Sequence, residues 1–270
     1  MKSLERLFDM SIDIEATPEH VWKALTDAGE LTRWFPLQAR VTPGTGGRMF
    51  WGWEDHWAWE SQIEVWEPHK RLTLVETRPA FDVNGNPLPG PSQRLAMEFT
   101  IETRAGQSTV RLVHSGFGHG ASWDDELESV SAGWQFELRG LRYYLEHHRG
   151  RNRHYAAAHA VTPLAQEAVW RLLLSPAAFS ITAGAAAQDS QVVIRSATGE
   201  QFSGTVAWHN PGRDLFVRVS ELNDGGFRVS TWRGGGQTGV QVWLTSYDGA
   251  HSARIRQFGE NVQQLVNRLF

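Results

Sequence analysis

One grammar written twice constrains this chain more than any other feature. "ATPEHVWKAL" (residues 16–25) returns as "VTPLAQEAVWRLL" (161–173), "IEVWEPHKRLTLV" (63–75) as "TVAWHNPGRDLFVRV" (205–219), and "QSTVRLVHS" (107–115) as "QTGVQVWLTS" (237–246). The matched positions lie 145 residues apart at Thr17 and Thr162, 142 at Trp66 and Trp208, 143 at Leu72 and Leu215, and 130 at Val110 and Val240. The late drop is what loss of the Pro/Gly/Asn segment from Pro79 to Gln93 produces. Recurrence of several elements in one order implies two copies of one supersecondary unit. The expected organisation is a first domain over 1–150, a linker over 151–160, and a shortened, divergent copy over 161–270.

The first copy spells its elements clearly. Phe8 to Glu15 alternates as a strand, Thr17 stands at a helix N-cap, and Pro18 takes the first helical position. Val21, Trp22 and Leu25 then share a helical face, and Leu31, Trp34 and Phe35 form a second amphipathic turn. From Arg48 to Phe117 the period becomes two, with turn signals at Glu54-Asp55, Pro68-His69, Pro79 to Gln93 and Ala105-Gly106. Trp57, Trp59, Ile63 and Val65 share one parity, as do Leu72 and Leu74, Leu95, Met97, Phe99 and Ile101, and Val110 and Leu112. Ser122 can cap a long helix whose apolar residues, Leu127, Val130, Trp134, Leu138, Leu141 and Leu145, recur every three or four positions. The fold class is therefore α+β: a helix-grip fold, a curved antiparallel sheet wrapped around a long C-terminal helix, in two copies. A cavity can lie between sheet and helix.

Charge and composition exclude several functions. A net charge of -4, with basic residues scattered, offers nucleic acid no footprint. Without cysteine there is no disulfide, thiol nucleophile or thiolate metal site. "MKSLERLFDM" is charged where a signal peptide is apolar, and Leu172 to Gln188 is interrupted by Pro176 and Gly184, so a cytoplasmic chain without a membrane span is expected. "GGGQTG" (234–239) joins two strands and reads as a hairpin turn, not a dinucleotide loop. Asp124 to Glu128 reads as a helix start without calcium-loop spacing. The histidines of "EHHRGRNRH" (146–154) lack a carboxylate ligand set. No metal ligand, cofactor or catalytic residue is assigned.

The first half resembles a known family through "ATPEHVWKALTDAGELTRWF", "GGRMFW", "VWEPHKRLTL", "MEFTIE" followed by "STVRLVHSGF", and "GWQFELRGLRYYL". It is similar to the helix-grip (SRPBCC) superfamily of the major birch-pollen allergen, START domains and polyketide cyclases, in the branch named after the activator of the heat-shock protein 90 ATPase. The second half is a degenerate copy that lacks "HSGF" and the "GW" helix opening. The resemblance implies a scaffold for small hydrophobic ligands or a regulator of a chaperone ATPase.

Candidate residues emerge from parity and composition. Glu76 and His114 point to the interior with Leu74 and Leu112, where they could hold a ligand's polar head or move a proton; the alternatives are a hydrogen-bonded core histidine and a Glu76 at the sheet edge. Trp51, Trp53, Trp57 and Trp59, with Trp22, Trp34 and Phe35, form either a wall for an apolar ligand or a filled core. Met97, Phe99, Trp134, Leu138 and Leu141 complete the lining, and Leu31 to Leu37 with Pro79 to Gln93 would gate it. The leading expectation is a binding module enclosing a small hydrophobic molecule. The alternatives are a chaperone-ATPase regulator and a cyclase or dehydratase using Glu76 and His114. The small residues Ala183 to Ala187 suggest that the second domain packs against the first or self-associates.

Overall fold

The structure, a computed structural model, describes residues 6–53, 57–104, 106–182 and 187–270. The Glu54-Asp55 turn, Ala105 and residues 183–186 lie outside the described residues. The chain divides into two compact units, Met1–Arg151 and Asn152–Phe270.

In the first unit, β1 (Leu7–Ile14) is followed by α1 (Pro18–Thr26), α2 (Ala28–Trp34), β2 (Gln38–Thr42), β3 (Arg48–Trp53), β4 (Trp57–Glu67), β5 (Arg71–Arg78), β6 (Gln93–Arg104), β7 (Gln107–Ser115) and α3 (Ala121–Tyr143). The strands form one seven-stranded antiparallel sheet in the order β1-β7-β6-β5-β4-β3-β2. Thr17 occupies the α1 N-cap and Pro18 follows, but the Thr17 hydroxyl lies 3.1 Å from His20 Nδ1 and caps no backbone amide. The α3 N-cap is Gly120, not Ser122, because the chain enters the helix at a φ of 101°. A π-turn over Tyr144–His148 ends that helix.

The second unit repeats this plan. It comprises β8 (His154–Thr162), α4 (Gln166–Leu173), β9 (Phe179–Thr182), β10 (Gln191–Ser196), β11 (Gln201–Asn210), β12 (Asp214–Val219), β13 (Gly225–Gly234), β14 (Gln237–Ser246) and α5 (Ser252–Leu269). Its strand order, β8-β14-β13-β12-β11-β10-β9, reproduces that of the first. Most of the segment expected as linker is thus β8, held by pairing with β14 from His154↔Ser246 to Thr162↔Thr238. The 234–239 glycines form the β13–β14 hairpin, with Gly235 at φ 62° and Gly236 at φ 77°, the two positive values a type I′ turn requires. Phe179, Phe202, Phe227 and Phe258 meet ring to ring in its core.

A shared irregularity ties the units together. Each carries a bulge at the same place, between Ile63 and Val65 in β4 and between Val206 and Trp208 in β11. A bulge adds one residue to a strand and reverses the facing of the residues beyond it. Val65 therefore leaves the Ile63 face, and Trp66, opposite Leu72, takes it. In the second unit the corresponding residue opposite Leu215 is His209, so Trp66 corresponds to His209 and not to Trp208. The tertiary contacts agree: Trp22 of α1 meets Trp66 at 5.0 Å, and Trp170 of α4 stacks on His209 at 6.2 Å.

Candidate functional site

Strand alternation sends Leu72, Leu74, Glu76 and Arg78 of β5, Leu95, Met97 and Phe99 of β6, and Leu112 and His114 of β7 to the face that α3 covers. The ladder fixes their neighbours: Leu74 lies opposite Met97, Met97 opposite His114, and His114 opposite Phe8. Trp51 of β3 lies opposite Trp59 of β4, with Ser61 two residues further on the same side. Over this face α3 lays Trp134, Leu138 and Leu141, all buried.

The structure brings most of the expected aromatic residues into one cluster around Phe35. Its ring stacks on Trp34 at 5.1 Å and meets Trp51 at 5.1 Å, Trp53 at 5.0 Å and Trp134 at 5.2 Å. Trp59 joins by stacking on Trp53 at 5.0 Å, and Phe99 by an edge contact with Trp134 at 5.6 Å. Trp57 touches Trp59 and reaches Phe81 at 6.3 Å. Trp22 stands apart from the cluster, in edge contact with Trp66 and His69. Between the start of α1 and the β4–β5 turn is an open groove of about 630 Å³, lined by Pro18, Glu19, His69, Lys70, Thr100 and Glu102 among others and by none of the expected site residues.

His114 is the polar centre of the interior. The Trp134 indole, which can only donate, gives its Nε1–H to His114 Nδ1 at 3.2 Å, and that fixes the imidazole as the neutral tautomer with its proton on Nε2. Burial, with Arg78 adding its positive charge, pushes the imidazole pKa down to about 3. A base that weak takes up no proton near neutrality, so His114 is fitted to donate a hydrogen bond and unfitted to accept a proton. Its Nε2 is buried without a hydrogen-bond partner, as are Trp51 Nε1 and Ser61 Oγ. The three residues are 3%, 2% and 1% exposed.

Beside His114 lies a buried ionic group. Arg78 bonds Glu76 at 2.9 Å and Glu126 at 2.5 Å, and a further donor reaches the Pro79 carbonyl at 3.0 Å. Glu76 is thus committed to an arginine and reaches neither the sheet edge nor His114 directly. Burial pushes the Glu126 carboxyl above its ordinary range, while Arg78 and the Phe81 amide pull the other way.

The connection over residues 79–92 closes this end of the interior. Asp82 organises it by accepting from the amides of Asn84 and Asn86 at 2.8 and 2.9 Å, and the Leu88 amide donates to the Ala80 carbonyl at 2.8 Å. Ala80 and Leu88 pack with Leu95, Phe117, Trp123 and Leu127. The Phe81 amide donates to Glu126 at 2.8 Å, and Arg78 lies over the Phe81 ring at 4.2 Å. Glu126 and Arg78 therefore latch this strap to α3. Sequence reasoning passes over both residues. Arg78 continues the Leu72, Leu74, Glu76 alternation, and Glu126 keeps helical spacing from Trp123 and Val130, so a signal for each is present.

Residues 15–146 match the family model described as Activator of Hsp90 ATPase homolog 1-like protein. No curated protein matches the chain. Among solved structures, protein MLL2253 from Mesorhizobium loti is 18% identical, with 53% of this chain and 98% of that one covered at a TM-score of 0.45. DynU16, from the dynemicin biosynthetic locus, is 17% identical over 98% of both chains at a TM-score of 0.42. The di-domain ARO/CYC BexL of the BE-7585A biosynthetic pathway is 13% identical, with 97% of this chain and 95% of its own covered at a TM-score of 0.42. Among the described residues no helix is long and apolar enough to cross a membrane. The first unit is thus similar, over residues 15–146, to the Activator of Hsp90 ATPase homolog 1-like family, and a second unit of the same strand order follows it in this chain.

Proposed function

We propose that the first unit is a binding module that encloses a small, largely apolar molecule between its sheet and α3. The observation that carries this reading is the combination of an aromatic interior with an end closed by a latched strap. The strap over residues 79–92 is fastened through the Arg78–Glu126 pair and the Phe81 amide, contacts that can release without breaking the sheet. An apolar interior with a few converging polar groups is the usual form of a small-molecule site. The weak basicity of His114 favours recognition over proton transfer.

Indole Nε1–H signals of the full chain test this, since nine of its thirteen tryptophans precede residue 150. Titration with 2-ethylnaphthalene should move the signals of Trp51, Trp53, Trp59 and Trp134 saturably and leave those of Trp170, Trp208, Trp232 and Trp243 in place. If only second-unit signals respond, or none do to this probe or to its ketone analogue 2-acetylnaphthalene, the reading is wrong.

A further inference from the structure

We propose that this interior selects neutral molecules that present a hydrogen-bond acceptor, such as a ketone or quinone oxygen on an aromatic frame, and that His114 Nε2–H is the donor that anchors it. The proposal rests on the binding reading above and specifies its ligand. Three buried polar atoms face the interior without a partner: His114 Nε2, Trp51 Nε1 and Ser61 Oγ. The first two can only donate in the states the structure fixes, and the serine can play either part. The carboxylates that face the same space, Glu76 and Glu126, are already engaged by Arg78 and the Phe81 amide. What the interior lacks is therefore an acceptor.

Charge narrows the class further. Arg78 between two carboxylates gives this corner a net charge of about -1 when all three groups are ionised, so an anionic ligand would enter against like charge. A cation would gain from that charge, but the unpartnered imidazole and indole offer it only N–H groups. A neutral acceptor meets neither penalty. Trp134 stands between the orphaned groups, with His114 on its indole nitrogen and the Trp51 ring 6.3 Å away.

The second unit shows that the fold does not demand this histidine. Matching β7 to β14 from Gln107 and Gln237 sets Leu244 at the place of His114, and Leu244 is fully buried. Leucine is thus the residue that the same strand accepts when only packing is asked of it. In the first unit the position instead holds a buried donor with no acceptor, an arrangement that a matching ligand relieves.

Three probes of one shape test the assignment on the full chain: 2-acetylnaphthalene, 2-ethylnaphthalene and 2-naphthoate. The ketone should bind about tenfold more tightly than the hydrocarbon, the effect of one buried donor gaining its acceptor, and more tightly than the carboxylate. His114→Leu should reduce ketone affinity to that of the hydrocarbon measured on the same variant. His114→Gln, which keeps a donor, should retain several-fold of the preference, and it carries the test if the leucine variant folds poorly. Equal binding of ketone and hydrocarbon by the unmodified chain, or tightest binding of the carboxylate, would overturn the selectivity and leave the binding module standing. Failure of all three probes to bind would overturn both.

Discussion

Lowering the pH should destabilise the first unit through His114, by an amount its environment sets. The imidazole pKa is depressed from 6.5 to about 3 because charging it means placing a cation in an apolar interior, beside Arg78 and facing the donor of Trp134. In the unfolded chain it titrates near 6.5. The stability that comes from keeping His114 neutral is therefore fully present above about pH 6.5 and is lost as the pH falls toward 3. Linkage gives about 2 kcal/mol lost between pH 7 and pH 5, approaching about 5 kcal/mol once the folded form itself protonates. His114→Leu removes this dependence. It also takes the acceptor from Trp134 Nε1, a cost of about 1–3 kcal/mol that does not vary with pH. Urea unfolding of the full chain and the variant at pH 7 and pH 5, read by tryptophan fluorescence, isolates the effect as a difference of differences. The Glu126 titration is common to both proteins. The gap between the two proteins should shrink by about 2 kcal/mol at pH 5. Parallel loss of stability in both would refute the neutral buried imidazole.

Two further outcomes concern the ionic group. Arg78→Met leaves Glu76 and Glu126 buried without a counter-ion, so it should cost about 3–5 kcal/mol at pH 7. Because burial already pushes Glu126 upward, that cost should shrink at pH 5, as urea unfolding at the two values will show. Glu126→Ala unfastens the strap, and amide exchange at Phe81 and through residues 79–92 should accelerate about tenfold or more, while β13 and β14 remain protected as before.

Sequence reading succeeds where a residue's environment is set by local periodicity and fails where it depends on a distant partner. Alternation places His114 and Glu76 on the inner face, and the repeated Thr-Pro and Val-Trp pairs reveal the second unit. The bulge in β4 defeats alternation at Val65, since nothing local in "QIEVWE" shows that one residue is extra; the ladder shows it because Ile63 pairs with Leu74 and Trp66 with Leu72. Trp22 reads as part of the ligand wall because it is aromatic and on an inward helical face, yet its neighbours are Trp66 and His69. Alanine-rich β8 reads as linker because alanine favours no strand. It is a strand by virtue of β14, which pairs with it along its full length. The acidic start of α3 reads only as a helix start, and for Glu126 the strap folding over it adds a role.

Comparison of the two units separates what this fold needs from what the first unit adds. Both share a strand order, a bulge at one position and an aromatic pair between the first helix and the residue after that bulge. Within that common frame the second unit joins β12 to β13 through residues 220–224, fills its core with phenylalanine and puts Leu244 where the first has His114. At one end of its interior the first unit adds a buried histidine with an unused donor, an arginine held between two largely buried acids, and a long strap fastened to that arginine's partner. The second unit carries costly polar groups of its own, the buried Arg228–Asp214 pair and the unpartnered His209 Nε2, so what sets the first unit apart is where such groups sit together. Unrelated costs would be scattered over the sheet. That these three converge on one end of one interior is the physical reason to seek the ligand there, under the strap and against His114.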